Sequence, residues 1–227
     1  MKMVRSALLV MMAVMMAATS ARAGFYAGFQ IGPNFPMSSG GNITFFNRNF
    51  DTGNLSFATG IMLGVQGGYD FLGGENTNFP DWAKYFTVAV DYQYNTYNMN
   101  EKHVFINAGN FGTFATIGGV GGSQNALSFL GIVKFPLMES QDYPHGRLFP
   151  YLGVGPSIVW TSIGDSTSIN VGIVVEPGVR FMFTPQISGD LAYRFRYCEP
   201  NFSGLENFKV SFNSSNSTLV FRVNYHF

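Results

Sequence analysis

The chain has one cysteine, Cys198, among its 227 residues, so no internal disulfide can brace it. Charged residues are scarce at 11%, the two signs balance at 13 each, and no basic run occurs. That excludes the electrostatic footprint of a nucleic-acid binder. The three histidines read His103-Val104, His145-Gly146 and His226-Phe227, with no clustered metal-ligand spacing, so no metal site is expected. The glycine-rich stretch Phe111–Gln124 lacks the Lys-Ser/Thr ending of a phosphate loop and reads as surface loop. Beyond residue 23 there is also no apolar stretch of about 18 residues, which excludes a membrane-crossing helix.

Apolar and aromatic side chains are present in quantity, at 46% and 16%. The first of these form the segment Met1–Ala23. Lys2 and Arg5 precede an apolar run from Ala7 to Ala18, and "ARA" closes it at Ala21–Ala23. A charged start, a short apolar centre and a small-x-small site describe a secretory signal peptide over residues 1–23, the run being too short for an anchor. The mature chain is then expected to begin at Gly24 and to hold 204 residues, one domain over 24–227. Removing Lys2, Arg5 and Arg22 leaves 10 basic against 13 acidic residues, a net charge of about −3. A secreted chain this apolar, with no helix long enough to insert, can enter a membrane only as a closed barrel.

Period-2 alternation runs through eight segments. Phe25, Ala27, Phe29 and Ile31 alternate with Tyr26, Gly28, Gln30 and Gly32. Within Phe57–Asp70, Phe57, Ile61, Leu63, Val65 and Tyr69 alternate with Gly60, Gly64, Gln66, Gly68 and Asp70. Phe86, Val88, Val90, Tyr92 and Tyr94 oppose Thr87, Ala89, Asp91 and Gln93; Leu127, Phe129, Val133 and Phe135 oppose Ser128 and Lys134. The same pattern fills Tyr151–Trp160, Val171–Phe183, Gln186–Tyr197 and the closing stretch Ser217–Phe227.

The two faces cannot both meet water. A soluble sandwich would turn the apolar face inward and leave Glu176, Arg180, Asp190, Arg194 and Arg222 outside. Three features weigh against it. The polar face carries Gly28, Gly60, Gly64, Gly153, Gly155, Gly172 and Gly178, which suit a narrow lumen and gain an exposed strand nothing. Tyr69, Tyr94, Trp160, Tyr193 and Tyr197 lie toward the ends of the apolar face, as aromatic girdles require. The terminal strand would be a bare edge in a sandwich, whereas in a barrel it pairs with the first strand. The expected fold is therefore all-β: a closed eight-stranded antiparallel up-and-down transmembrane β-barrel.

Loop lengths orient it. Connections at Pro33–Ser56, Asn98–Gln124, Thr161–Asn170 and Cys198–Asn216 are expected outside, and Phe71–Lys84, Pro136–Arg147 and Thr184–Pro185 on the periplasmic side with both termini. Phe71–Lys84 is longer than a periplasmic turn usually is. Five N-x-S/T triplets, at Asn42, Asn54, Asn201, Asn213 and Asn216, read as ordinary loop polarity in a bacterial chain. Cys198 is expected near the outer rim, inert or beside lipid.

The stretches "GFYAGFQIG", "PYLGVGPS", "VEPGVRFMFTPQISGDLAYRFRY" and the C-terminal strand resemble the eight-stranded bacterial outer-membrane barrels, the family of the OmpA membrane domain, opacity proteins and "porin family" proteins. The resemblance covers the mature chain and implies location in the Gram-negative outer membrane, among outer-membrane lipid and lipopolysaccharide. Leu219, Phe221, Val223, Tyr225 and the terminal Phe227 are similar to the C-terminal signal read by the barrel assembly machinery. The chain ends at Phe227, so the peptidoglycan-binding domain of full-length OmpA is not expected.

An eight-stranded barrel is just wide enough inside for side chains. Asp91, Lys134, Glu176, Arg180, Asp190, Arg194, Arg196 and Arg222 are the inward charges, expected to pair as an ionic plug. His226 is expected at the strand end of the lumen. Some family barrels modify lipid A, but no serine adjoins any histidine here. Asp51, Ser38, Ser39 and His103 are scattered over two loops, so no catalytic residue is assigned. The reading is a non-enzymatic outer-membrane protein without cofactor, with a structural or surface-interaction role such as adhesion or contact with an unidentified extracellular or host ligand. A narrow porin-like channel for ions or small solutes is the alternative, and a lipid A-modifying enzyme the third.

Overall fold

The computed structural model describes residues 24–37, 39–45, 48–55, 57–71, 80–100, 102–108, 111–117, 119, 121–141, 143, 146–163, 166–199, 201–205, 208–212 and 214–227. Residues 1–23, and with them the expected signal peptide, lie outside the described residues, as do Ser38, His145 and Asn213.

Eight long strands form the wall: β1 Phe25–Pro36, β2 Gly60–Asp70, β3 Phe86–Met99, β4 Gly121–Lys134, β5 Leu148–Ile163, β6 Ser166–Met182, β7 Ile187–Cys198 and β8 Ser214–His226. Each pairs antiparallel with the next, and β8 returns to β1 with Tyr26 opposite His226 and Ile31 opposite Phe221. The barrel is closed and has no free edge, so every ladder donor and acceptor has a neighbouring strand. The two ends of the domain meet: the Phe227 amide donates to the Phe25 carbonyl at 3.0 Å.

The alternation sorts onto the two faces of the wall. Val171 is 75% exposed, Val223 61% and Ile61 60%, in company with Phe29, Ile31, Leu152, Leu191, Phe221 and Tyr225. The residues that alternate with the outward set along the strands, among them Gln30, Asp91, Glu176, Arg194 and Arg222, are almost wholly enclosed. This is a soluble protein's distribution turned inside out, and hydrocarbon is the solvent that makes it favourable. At the end holding both termini the outer face carries aromatic pairs: Phe25 with Tyr69, Tyr225 with Phe227, and Phe181 with Phe183 at 4.8, 5.2 and 5.5 Å between centroids.

The wall continues past the expected loops. The connection placed at Thr161–Asn170 is largely ladder, since β5 and β6 stay in register up to Ile163 opposite Ser166. Polar β-formers carry it there: Ser162 and Thr167 share a side-chain hydrogen bond at 3.0 Å. Loops expected at Pro33–Ser56 and Cys198–Asn216 also contain paired strands. Ser39–Phe45, Arg48–Leu55, Asn201–Leu205 and Phe208–Phe212 form one four-stranded sheet, in which Phe208 lies opposite Phe45. β1 and β8 are neighbours, so the segments leaving them start side by side and can pair. Lys102–Ala108 and Phe111–Ile117 form a separate hairpin beyond β3 and β4, so the glycine-containing stretch read as loop is partly strand. At the opposite end the connections are a five-residue 3-10 turn, Asp81–Tyr85, an irregular segment before β5, and the short turn joining β6 to β7. Among the described residues no helix is long and apolar enough to cross a membrane.

Candidate functional site

Period-2 geometry aims one face of each strand into the tube, and the sequence places its charges there. Arg180 on β6 lies directly opposite Asp190 on β7, which lies opposite Arg222 on β8. Three charges of alternating sign thus occupy one rung across three strands. Arg180 Nε donates to Asp190 Oδ1 at 2.9 Å, and Arg222 Nη1 donates to Asp190 Oδ2 at 2.9 Å.

From this rung an alternating chain crosses the lumen. Toward the terminal end, Arg180 Nη1 reaches Asp70 Oδ2 at 3.5 Å, and Asp70 also accepts from Lys134 and Thr87. In the other direction Arg222 Nη2 donates to Glu176 Oε1 at 3.0 Å, and Arg194 bridges Glu176 to Asp91. Arg194 holds Asp91 through two bonds, at 2.7 and 3.2 Å. The order Lys134, Asp70, Arg180, Asp190, Arg222, Glu176, Arg194, Asp91 alternates in sign throughout, and no side chain in it is more than 10% exposed.

Neutral groups fill the remaining valences. Gln30 donates to Asp91 at 2.6 Å and accepts from Arg222 Nη2 at 2.9 Å. Tyr151 donates to Glu176 at 3.0 Å, and Asn224 donates to Asp190 at 3.0 Å. The Arg180 guanidinium lies 4.4 Å from the centroid of the Tyr26 ring. Both tyrosine rings need glycine beside them: a Cβ on Gly68 would stand 2.5 Å from Tyr26 Cζ, and one on Gly178 2.5 Å from Tyr151 Cζ. Small residues on the inner face therefore seat large ones.

Of the eight charges expected inside, seven sit in this chain and the eighth does not. Arg196 is 2% exposed and faces the lumen, but it makes no ion pair among the described residues; its guanidinium donates to Gln93 Oε1. It lies one inward position past Arg194 toward the loops, where the inner face carries amides and hydroxyls. The sequence reading also missed Asp70, the last residue of β2, although its alternation already placed it on the polar face. Gln30, Tyr26 and Tyr151 were overlooked because they carry no charge or an aromatic ring. Strand parity would have found all four.

Two further placements, those of Cys198 and Asn216, differ from expectation. Cys198 is not beside lipid: it is 1% exposed on the inner face, with Sγ 3.8 Å from Gln124 Nε2. Asn216 is not loop polarity, since it lies inside and donates to Gln124 Oε1 at 2.6 Å. His226 stands at the terminal mouth, with Nε2 2.9 Å from Ser188 Oγ. Phe221, Val223, Tyr225 and Phe227 point outward. The side chains of Ser39, Asp51 and His103 lie outside the described set. Among the described residues no group of histidine, cysteine and carboxylate side chains could hold a metal.

Comparison with known proteins bears on the fold. The outer-membrane protein OprG from Pseudomonas aeruginosa is similar over 90% of this chain and 97% of its own, with a TM-score of 0.57 and 12% identity. Neisserial surface protein A aligns over 90% and 98% with a TM-score of 0.48 and 20% identity. The N-terminal barrel domain of Pseudomonas aeruginosa OprF gives 88%, 97%, 0.40 and 15%. No protein-family model matches the chain. No curated protein matches it either. The architecture is that of an eight-stranded outer-membrane β-barrel.

Proposed function

We propose that this chain is a Gram-negative outer-membrane protein whose barrel is a sealed anchor and whose loop-end strands are its working surface. Its role in this reading is structural or adhesive, with lipid and lipopolysaccharide around the wall and no chemistry of its own. The carrying observation is the ion-pair chain from Lys134 to Asp91, which crosses the lumen with its side chains enclosed. A water-filled path would have to break several of these contacts at once, and each break strands a charge in a low-dielectric interior. The exposed apolar belt supports residence in a bilayer, and the fold shared with OprG is consistent with the outer membrane. The four-stranded sheet and the separate hairpin supply an ordered surface beyond the belt for an extracellular or host ligand. The apolar residues of β8 would present the barrel to its assembly machinery.

Purified, refolded protein reconstituted in planar bilayers tests the seal. The expected result is heat-modifiable, folded protein with no steady conductance. Stable unitary openings would replace this reading with the narrow channel.

A further inference from the structure

Among the described residues, four enclosed carboxylates, Asp70, Asp91, Glu176 and Asp190, face five enclosed cations, Lys134, Arg180, Arg194, Arg196 and Arg222. The chain of ion pairs consumes four of each, and Arg196 is left over. Arginine does not shed its proton in proteins, so this charge persists wherever it is buried. An isolated buried cation is strongly unfavourable unless a counter-charge reaches it.

The donors around Arg196 are also in surplus. Its Nε is buried with no hydrogen-bond partner, and so is Gln93 Nε2. The orientation of Gln93 is not arbitrary. Arginine offers only donors, so the Gln93 oxygen must face Arg196, which leaves its NH2 group unpaired. Unpaired N–H groups beside an uncompensated guanidinium lack one partner: an anion.

From this we infer that the loop-end half of the lumen holds a small inorganic anion of the halide class, bound by Arg196 and Gln93. The anion is structural. It completes the charge balance of the interior, and folding takes it up from solution.

The test measures urea unfolding of refolded full-length protein in detergent micelles across a range of sodium bromide, with sodium sulfate at matched ionic strength as the second salt. Once the site is saturated, mass action predicts about a tenfold rise in the folding equilibrium constant for each tenfold rise in free bromide. Screening and general salt effects act on every variant alike, so the comparison is made against Gln93→Glu. That variant supplies a fixed carboxylate where Arg196 already has its partner, and it is expected to fold and to lose the bromide dependence. Arg196→Gln is expected to lose it too. Crystals grown in bromide should show anomalous density within hydrogen-bonding distance of Arg196 Nε and Gln93 Nε2. Equal bromide dependence in the wild type and Gln93→Glu, or a water with no anomalous signal at that position, would overturn the proposal.

Discussion

The two halves of the lumen solve one packing problem by different chemistry. Toward the termini, Lys134, Asp70, Arg180, Asp190, Arg222 and Glu176 meet as direct ion pairs, most of them with two or more partners. Toward the loops, Gln124 joins Thr161 and Asn216, Asn95 donates to the Gln124 carbonyl, and Arg196 finds only an amide. Both halves are enclosed, yet among the described residues buried side-chain atoms without partners occur at Asn34, Gln93, Asn95 and Arg196 in the second, and in the first at Gln66 and Asn224. Charge pairs lock a register because each wrong pairing leaves an ion stranded. Neutral amides tolerate slack, and slack leaves room for water or an ion.

The sharpest way to break the contrast is to remove a carboxylate from the terminal half. Glu176→Leu strips Arg222 and Arg194 of a shared partner. It should cost about 3–5 kcal/mol, measured as the urea-unfolding free energy in micelles, with loss of the heat-modifiable band on gels. The double variant Glu176→Leu, Arg222→Met removes both charges and should recover a large part of that loss. A single variant as stable as the parent would mean the pairs hold nothing together.

How much of this was legible beforehand follows strand by strand. The rung Arg180, Asp190 and Arg222 could be anticipated, because a short turn joins two strongly alternating strands and the last strand carries its arginine in phase. Asp70 was harder to assign, sitting at the last position of β2, where a residue passes equally for strand or turn. Asn216 and Cys198 were obscured by composition: Asn and Ser around a strand end look like loop, although parity places both side chains inside. The paired strands within Ser39–Leu55 and Asn201–Phe212 depend on two distant segments starting from adjacent wall strands. That is a property of the closed barrel, and no window of sequence contains it.

A smaller effect sharpens the comparison from the loop-end side. Gln124→Leu leaves Asn216 and Thr161 without their partner, but strands no ion. The expected cost is about 1–3 kcal/mol by the same urea measurement, below that of Glu176→Leu. A loss equal to the Glu176 variant would erase the distinction between the halves.

The central claim, that apolar side chains meet lipid while charged ones fill the tube, is tested most directly along β8. Single cysteines at positions 219 to 225, in a Cys198→Ser background, can carry a fluorophore in protein refolded into vesicles containing brominated lipid. Quenching should alternate with period two, strong at 219, 221, 223 and 225 and weak at 220, 222 and 224. Quenching that is uniform, or strongest at 222, would contradict the orientation and the account built on it.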